Sequence, residues 1–140
     1  MTKIDFSMMV TAESRAAAAL SVARSAAAAR LAALIEAATA ALSEGIPLAE
    51  QLTWSAKEAA AQAVLDGTAS PIQEALLEAE AAQSGETVVQ LAGLILSHAE
   101  AYRAEVTRYV GLRRQASASL AACSTPEELA QVLEMLEARL

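Results

Sequence analysis

From Val88 to Tyr109 the apolar positions fall at 88, 92, 95, 99, 102, 106 and 109. The steps alternate four and three without a slip, which places Val88, Ala92, Ile95, Ala99, Tyr102, Val106 and Tyr109 on one narrow stripe of a helix. A stripe of that width faces another helix. The pattern predicts a helix over about residues 86–122, roughly 55 Å long. Arg113 falls on the continued register (109, 113, 116, 120) and interrupts it. A lone charge in a seam sets register or partner choice; an arginine that snorkels out at the end of the contact is the plainer account.

A second long helix is expected over about residues 12–44. Thr11 reads as its N-cap, Glu13 suits the positive end of the dipole, and Gly45 ahead of Pro47 stops it. Its larger apolar residues are Leu20, Leu31, Leu34, Ile35 and Leu42, with alanine between them. Two rods of similar length predict a hairpin or coiled coil. Shorter helices cap it over about 55–66, 70–83 and 126–140. Ser55-Ala56-Lys57-Glu58 reads as a capping box with Trp54 as its staple, and Gly67 closes that helix. Ser70-Pro71 opens the next, which ends near Gly85. Thr125-Pro126-Glu127-Glu128 reads as a second box and launches Leu129, Leu133, Leu136 and Leu140 at four-three-four spacing. Gly93 and Gly111 lie inside the seam helix at about 1 kcal/mol each against alanine. Gly93 fits either a close approach or a bend.

Ahead of the helices, Ile4, Phe6, Met8 and Val10 alternate with Asp5, Ser7 and Met9. Period two predicts an extended segment over residues 1–11. No second convincing strand exists to pair with it, so it either lies on the helices or adds to another protein's sheet edge. The expected fold class is all-α, with one helical domain over 12–140.

Composition sharpens this. Alanine fills 37 of the 140 positions, while Phe, Trp and Tyr number four. Alanine favours helix strongly but buries little area, so the core is either very close-packed or completed by another chain. The net charge is −7. Residues 46–85 hold six acids against Lys57, and 123–140 hold four against Arg139; residues 1–45 balance, and 86–122 are slightly basic. An acidic chain repels phosphate backbones, which disfavours nucleic acid as a partner. Cys123 is the only cysteine, excluding an internal disulfide. No signal-peptide run opens the chain. The seam helix offers only Thr87–Ala99 as an uncharged stretch, short of the roughly 20 residues a membrane span needs. A soluble protein with no membrane partner is expected.

No catalytic constellation competes with the packing pattern. A Cys–His pair would need Cys123 beside His98, yet 25 residues of helix hold them roughly 37 Å apart. One His and one Cys fall short of a zinc site. Glu74, Glu78 and Glu80 suggest a solvated acidic face, since the Glu-x-x-His of a di-metal bundle is absent: Ile95 stands three positions before His98. The five glycines are scattered and form no phosphate cradle. Arg103 and Arg108 sit three residues after Glu100 and Glu105, the spacing of ordinary surface pairs. No catalytic residue, cofactor or metal is assigned, and an active site would need a second chain to complete it.

Two stretches carry a resemblance: IDFSMMVTAESRAAAA at the start, and LTWSAKEAAAQAVLDGTAS followed by LLEAEAAQSGETVVQLAGLIL in the middle. They resemble small alanine-rich proteins of tailed-phage and prophage tail modules, of the tail-fibre accessory or tail-assembly type. GLRRQASASLAACSTPEELAQVLEMLE continues the likeness. The resemblance implies a structural or assembly protein that binds a tail-fibre or baseplate component, in the virion tail or in the host cytoplasm during assembly. The expected contacts are Ile4, Phe6, Met8 and Val10 of the extended segment and Val88, Ile95, Tyr102, Val106 and Tyr109 of the seam. A homo-oligomer is compatible with that seam. The alternative is a small phage-encoded inhibitor whose acidic face occupies a basic site on a host defence or regulatory protein.

Overall fold

Helix start and stop signals decide most of the architecture. The structure, a computed structural model, describes residues 11–140; the alternating segment with Ile4, Phe6, Met8 and Val10 lies outside the described residues. Among the described residues there are six helices and no strand: α1 (Ala12–Ala41), α2 (Leu48–Gln51), α3 (Trp54–Asp66), α4 (Pro71–Ser84), α5 (Val88–Ala122) and α6 (Pro126–Glu137). The described residues are all-α, as the periodicity of 12–140 predicts.

Thr11 caps α1, its hydroxyl accepting the Ser14 N–H at 3.0 Å. The helix ends at Ala41, three residues before the expected stop. The N–H groups of Leu42, Ser43 and Glu44 turn back to carbonyls three residues earlier, tightening the chain into Gly45 at φ +80°. Ser70 caps α4 in a complete reciprocal box with Gln73. Thr125 caps α6, but Glu128 reaches the Ser124 N–H at 2.8 Å and leaves the box half made. An equivalent signal at Thr87 escaped the sequence reading: its hydroxyl accepts the Gln90 N–H at 3.1 Å, and the Gln90 side chain accepts the Thr87 N–H at 2.9 Å. The single turn of α2 was also not anticipated.

The start of α3 is a correction. The N-cap is Thr53, and Ser55 lies inside the first turn with no cap bond. Trp54 is therefore the first helical residue and not a staple ahead of a box. Glu58, which the box required, pairs with Arg103 instead. At its other end α3 closes in a Schellman motif, with the Thr68 N–H on the Ala63 carbonyl at 2.8 Å and the Gly67 N–H on that of Val64 at 3.2 Å. Gly67 stands at φ +72°, which costs glycine nothing and any β-carbon something.

Contacts divide the chain into two compact units, residues 39–108 and the remainder. In the 39–108 unit the buried cluster is Ala60 and Ala61 of α3, Leu77 and Ala81 of α4, and Leu91 and Ala92 of α5, with Val64, Val88, Ile95 and Leu96 packed around it. Four of these six are alanines. Their single methyl groups let helix backbones approach closely, so close packing substitutes for large side chains.

In the other unit the buried residues are Ala27 and Leu31 of α1, Tyr109, Leu112, Ala116 and Leu120 of α5, Cys123, and Leu129 and Leu136 of α6. The Arg24 guanidinium donates to the Cys123 carbonyl at 2.7 Å, and Arg30 pairs with Glu137 at 2.8 Å. Here the expected register is corrected: Leu112 is buried and Arg113 exposed. The two lie about 100° apart on either side of the stripe. Burying leucine is favourable, whereas burying an unpaired guanidinium costs several kcal/mol. Arg113 therefore does not interrupt the seam.

α1 contains an 18-residue stretch of mean hydropathy 1.4, of which 11% is buried, so by length and composition alone it could cross a membrane. The apolarity of α1 comes mainly from alanine methyl groups, which gain little from hydrocarbon, while Arg24 and Arg30 would each cost about 2.5–3.5 kcal/mol near a span's centre.

An alanine β-carbon at Gly93 or Gly111 meets nothing within 4 Å. The close approach considered for Gly93 is therefore absent. Gly93→Ala and Gly111→Ala should each raise the unfolding free energy by up to about 1 kcal/mol, measurable as a higher urea midpoint at unchanged slope.

Candidate functional site

The α5 stripe is not covered evenly. Ala92 and Tyr109 are both buried, yet no residue between them is. Over this interval Ile95, Ala99 and Val106 are half-buried and Tyr102 remains 37% exposed. They form one wall of an open groove of about 500 Å³ within the 39–108 unit, and Leu42, Ile46 and Trp54 complete its apolar lining.

Each side chain is placed by a local rule. Ile95, Tyr102 and Val106 follow from heptad spacing on a continuous helix. Leu42 and Ile46 lie on either side of the Gly45 reversal. Trp54 is set by the first turn of α3, and its ring meets Tyr102 edge-on, with centroids 5.4 Å apart at 72°. Such T-shaped pairs contribute about 0.5–1.5 kcal/mol beyond area burial and fix ring orientation. The aromatic pair is part of the groove wall.

Charged residues border the apolar lining. Lys57 pairs with Glu80 at 2.5 Å, its side chain 17% exposed, so the aliphatic stem is packed away with the ammonium at the rim. Glu58 pairs with Arg103, which Glu100 was expected to engage. The other anticipated pair, Glu105 with Arg108, forms at 2.9 Å. Surface pairs of this kind contribute about 0–1 kcal/mol, so they shape the rim more than they stabilise the fold. Glu50, Ser55 and His98 also line the groove.

The contact residues read from the sequence therefore separate. Ile95, Tyr102 and Val106 come together in the groove. Val88 instead packs against the alanine–leucine cluster of the 39–108 unit, and Tyr109 is buried in the other unit. Ile4, Phe6, Met8 and Val10 lie outside the described residues. The sequence reading missed Leu42, Ile46 and the part played by Trp54. The first two stand four residues apart in the turn that holds Gly45, and Trp54 is the chain's only tryptophan.

His98 is an exposed groove residue. Cys123 is buried, its thiol donating to the Ser119 carbonyl at 3.1 Å. Among the described residues no group of three or more His, Cys, Asp or Glu is placed to hold a metal ion. An open apolar groove with a charged rim can hold an apolar body and orient its polar edge. No protein-family model, curated protein or solved structure matches this chain.

Proposed function

We propose that this protein works by contact, presenting the groove of residues 39–108 to a partner protein. From the resemblance of its sequence, we take that partner to be a tail-fibre or baseplate component of a phage tail. The observation that carries the proposal is the uncovered interval of α5, where a heptad stripe lines an open groove with Ile95, Tyr102 and Val106. A stripe patterned for a helix but left half-covered supports association as its use. The two long helices act in this proposal as a hairpin or coiled coil, and the Ile4–Val10 segment supplies a second contact.

The test is co-purification with a tail-fibre or baseplate protein co-expressed with this one. Tyr102→Ala combined with Val106→Ser should reduce recovery about tenfold, as truncation of buried interface anchors does, with helical circular dichroism unchanged. Deleting residues 1–11 should also reduce it. Undiminished recovery of both variants overturns the proposal. The charge distribution favours a second reading, an acidic inhibitor of a host protein. It predicts that a host protein with a basic site is captured from uninfected lysate and competes with the fibre component for the groove.

A further inference from the structure

The net charge of the chain is gathered in the unit that holds the groove. Residues 39–108 carry ten acids against three bases, a net of −7, whereas the described residues of the other unit carry six of each. All three bases are already engaged within their own unit: Lys57 by Glu80, Arg103 by Glu58 and Arg108 by Glu105. The unit's other seven acids, Glu44, Glu50, Asp66, Glu74, Glu78, Glu86 and Glu100, lie outside these three pairs. Glu50 lines the groove itself and is exposed. It is the one acid of these seven in the lining; with the Lys57–Glu80 and Glu58–Arg103 pairs it leaves the groove one charge negative, inside a unit of net −7.

We infer that the groove takes a cationic amphipathic segment of a partner protein. Its apolar face would lie on Trp54, Ile95, Tyr102 and Val106, and its Lys and Arg residues would meet the acidic surround. This rests on the groove being the contact surface and names the chemistry of what fills it. An apolar floor alone would accept any greasy segment; the negative field rejects acidic ones and raises the encounter rate of basic ones. Ile95, Tyr102 and Val106 stand seven and four residues apart, the spacing that meets anchors on one face of a helix. A second copy fits poorly, because it brings the same −7 unit into the field of the first.

Trp54 reports on its own groove, since no other tryptophan exists in the chain. The intact protein is titrated with a Trp-free helical peptide of leucine and lysine, and with versions carrying glutamine or glutamate in place of lysine. The lysine peptide should give a saturable blue shift of Trp54 emission. Its Kd should weaken about tenfold or more as salt rises from about 50 to 500 mM, because screening shortens the field to a few ångströms. Val106→Ser should weaken it about fivefold, the loss of one anchor, while Glu74→Gln with Glu78→Gln changes it less. Isothermal calorimetry repeats the comparison for Tyr102→Ala, whose change abuts the reporter.

Four results would overturn the inference. Equal binding of the glutamine peptide would remove the charge claim and leave the groove as a contact surface. Indifference to both Val106→Ser and Tyr102→Ala would mean that the peptide merely coats an acidic surface. A shift of Trp54 emission on deleting residues 1–10 would mean that the protein's own N-terminal segment fills the groove. Absence of binding by the lysine peptide also defeats it, while co-purification of the groove variants with the tail component still decides the wider proposal separately.

Discussion

Leu77→Ala should lower the unfolding free energy by about 2–5 kcal/mol, the cost of a leucine-sized truncation in a core that cannot fully collapse. Leu77 is 0% exposed and is the largest side chain so completely buried. Its neighbours in the cluster are chiefly alanines, Ala60, Ala61, Ala81 and Ala92. An alanine neighbour has no torsion by which to swing a methyl group into the void, so relaxation must come from helix movement. The loss should therefore sit in the upper half of that range. For a chain of this length each kcal/mol lowers Tm by roughly 3 °C, and total stability is only about 5–15 kcal/mol. Leu76→Ala, one position away and 37% exposed, should cost much less. Equal effects at 76 and 77 in thermal melts would show that the α4 face is misassigned.

A small-to-large substitution in the same cluster should also destabilise, by less. Ala61→Leu inserts three carbon atoms at a position of zero exposure on α3, where it must part α3 from α4 or force strained rotamers. Overpacking of this kind costs about 1–3 kcal/mol. Leucine is nearly as good a helix former as alanine, so helix propensity cannot explain a loss. Ala59→Leu at the exposed neighbouring position should stay within about 0.5 kcal/mol. Guanidinium denaturation of the pair separates packing from propensity. If Ala61→Leu were neutral, the cluster would be loose, and close alanine contacts could not be what holds this unit together.

The elements that were legible in advance share a range of a few residues. Ser70 and Thr125 cap where expected because a hydroxyl and an N–H three positions on are all that a cap requires. Gly67 and Gly85 end helices because a left-handed residue is needed there. The heptad spacing of Ile95, Tyr102 and Val106 was equally local, and those three residues do share the groove. The failures were elsewhere. At the start of α3 the expected Ser55 box does not form: the N-cap position is Thr53, which makes no side-chain cap bond, its hydroxyl donating instead to the Glu50 carbonyl. Trp54 packs on Tyr102 and Glu58 pairs with Arg103, 45 positions away, which no pattern around residue 55 records.

Read along the chain, hydrogen bonding and side-chain spacing within one or two turns settle which residues are helical, where helices begin and end, and which stripe of α5 is apolar. They do not settle what lies against that stripe. Its burial at Ala92 and Tyr109 and only partial cover between them, the place of Leu42, Ile46 and Trp54 in the groove lining, and the bounds of the compact unit that holds the acidic excess came from contacts between segments remote in sequence. Local order is encoded by neighbours, whereas cover for an apolar face depends on which distant helix arrives and where its charges fall.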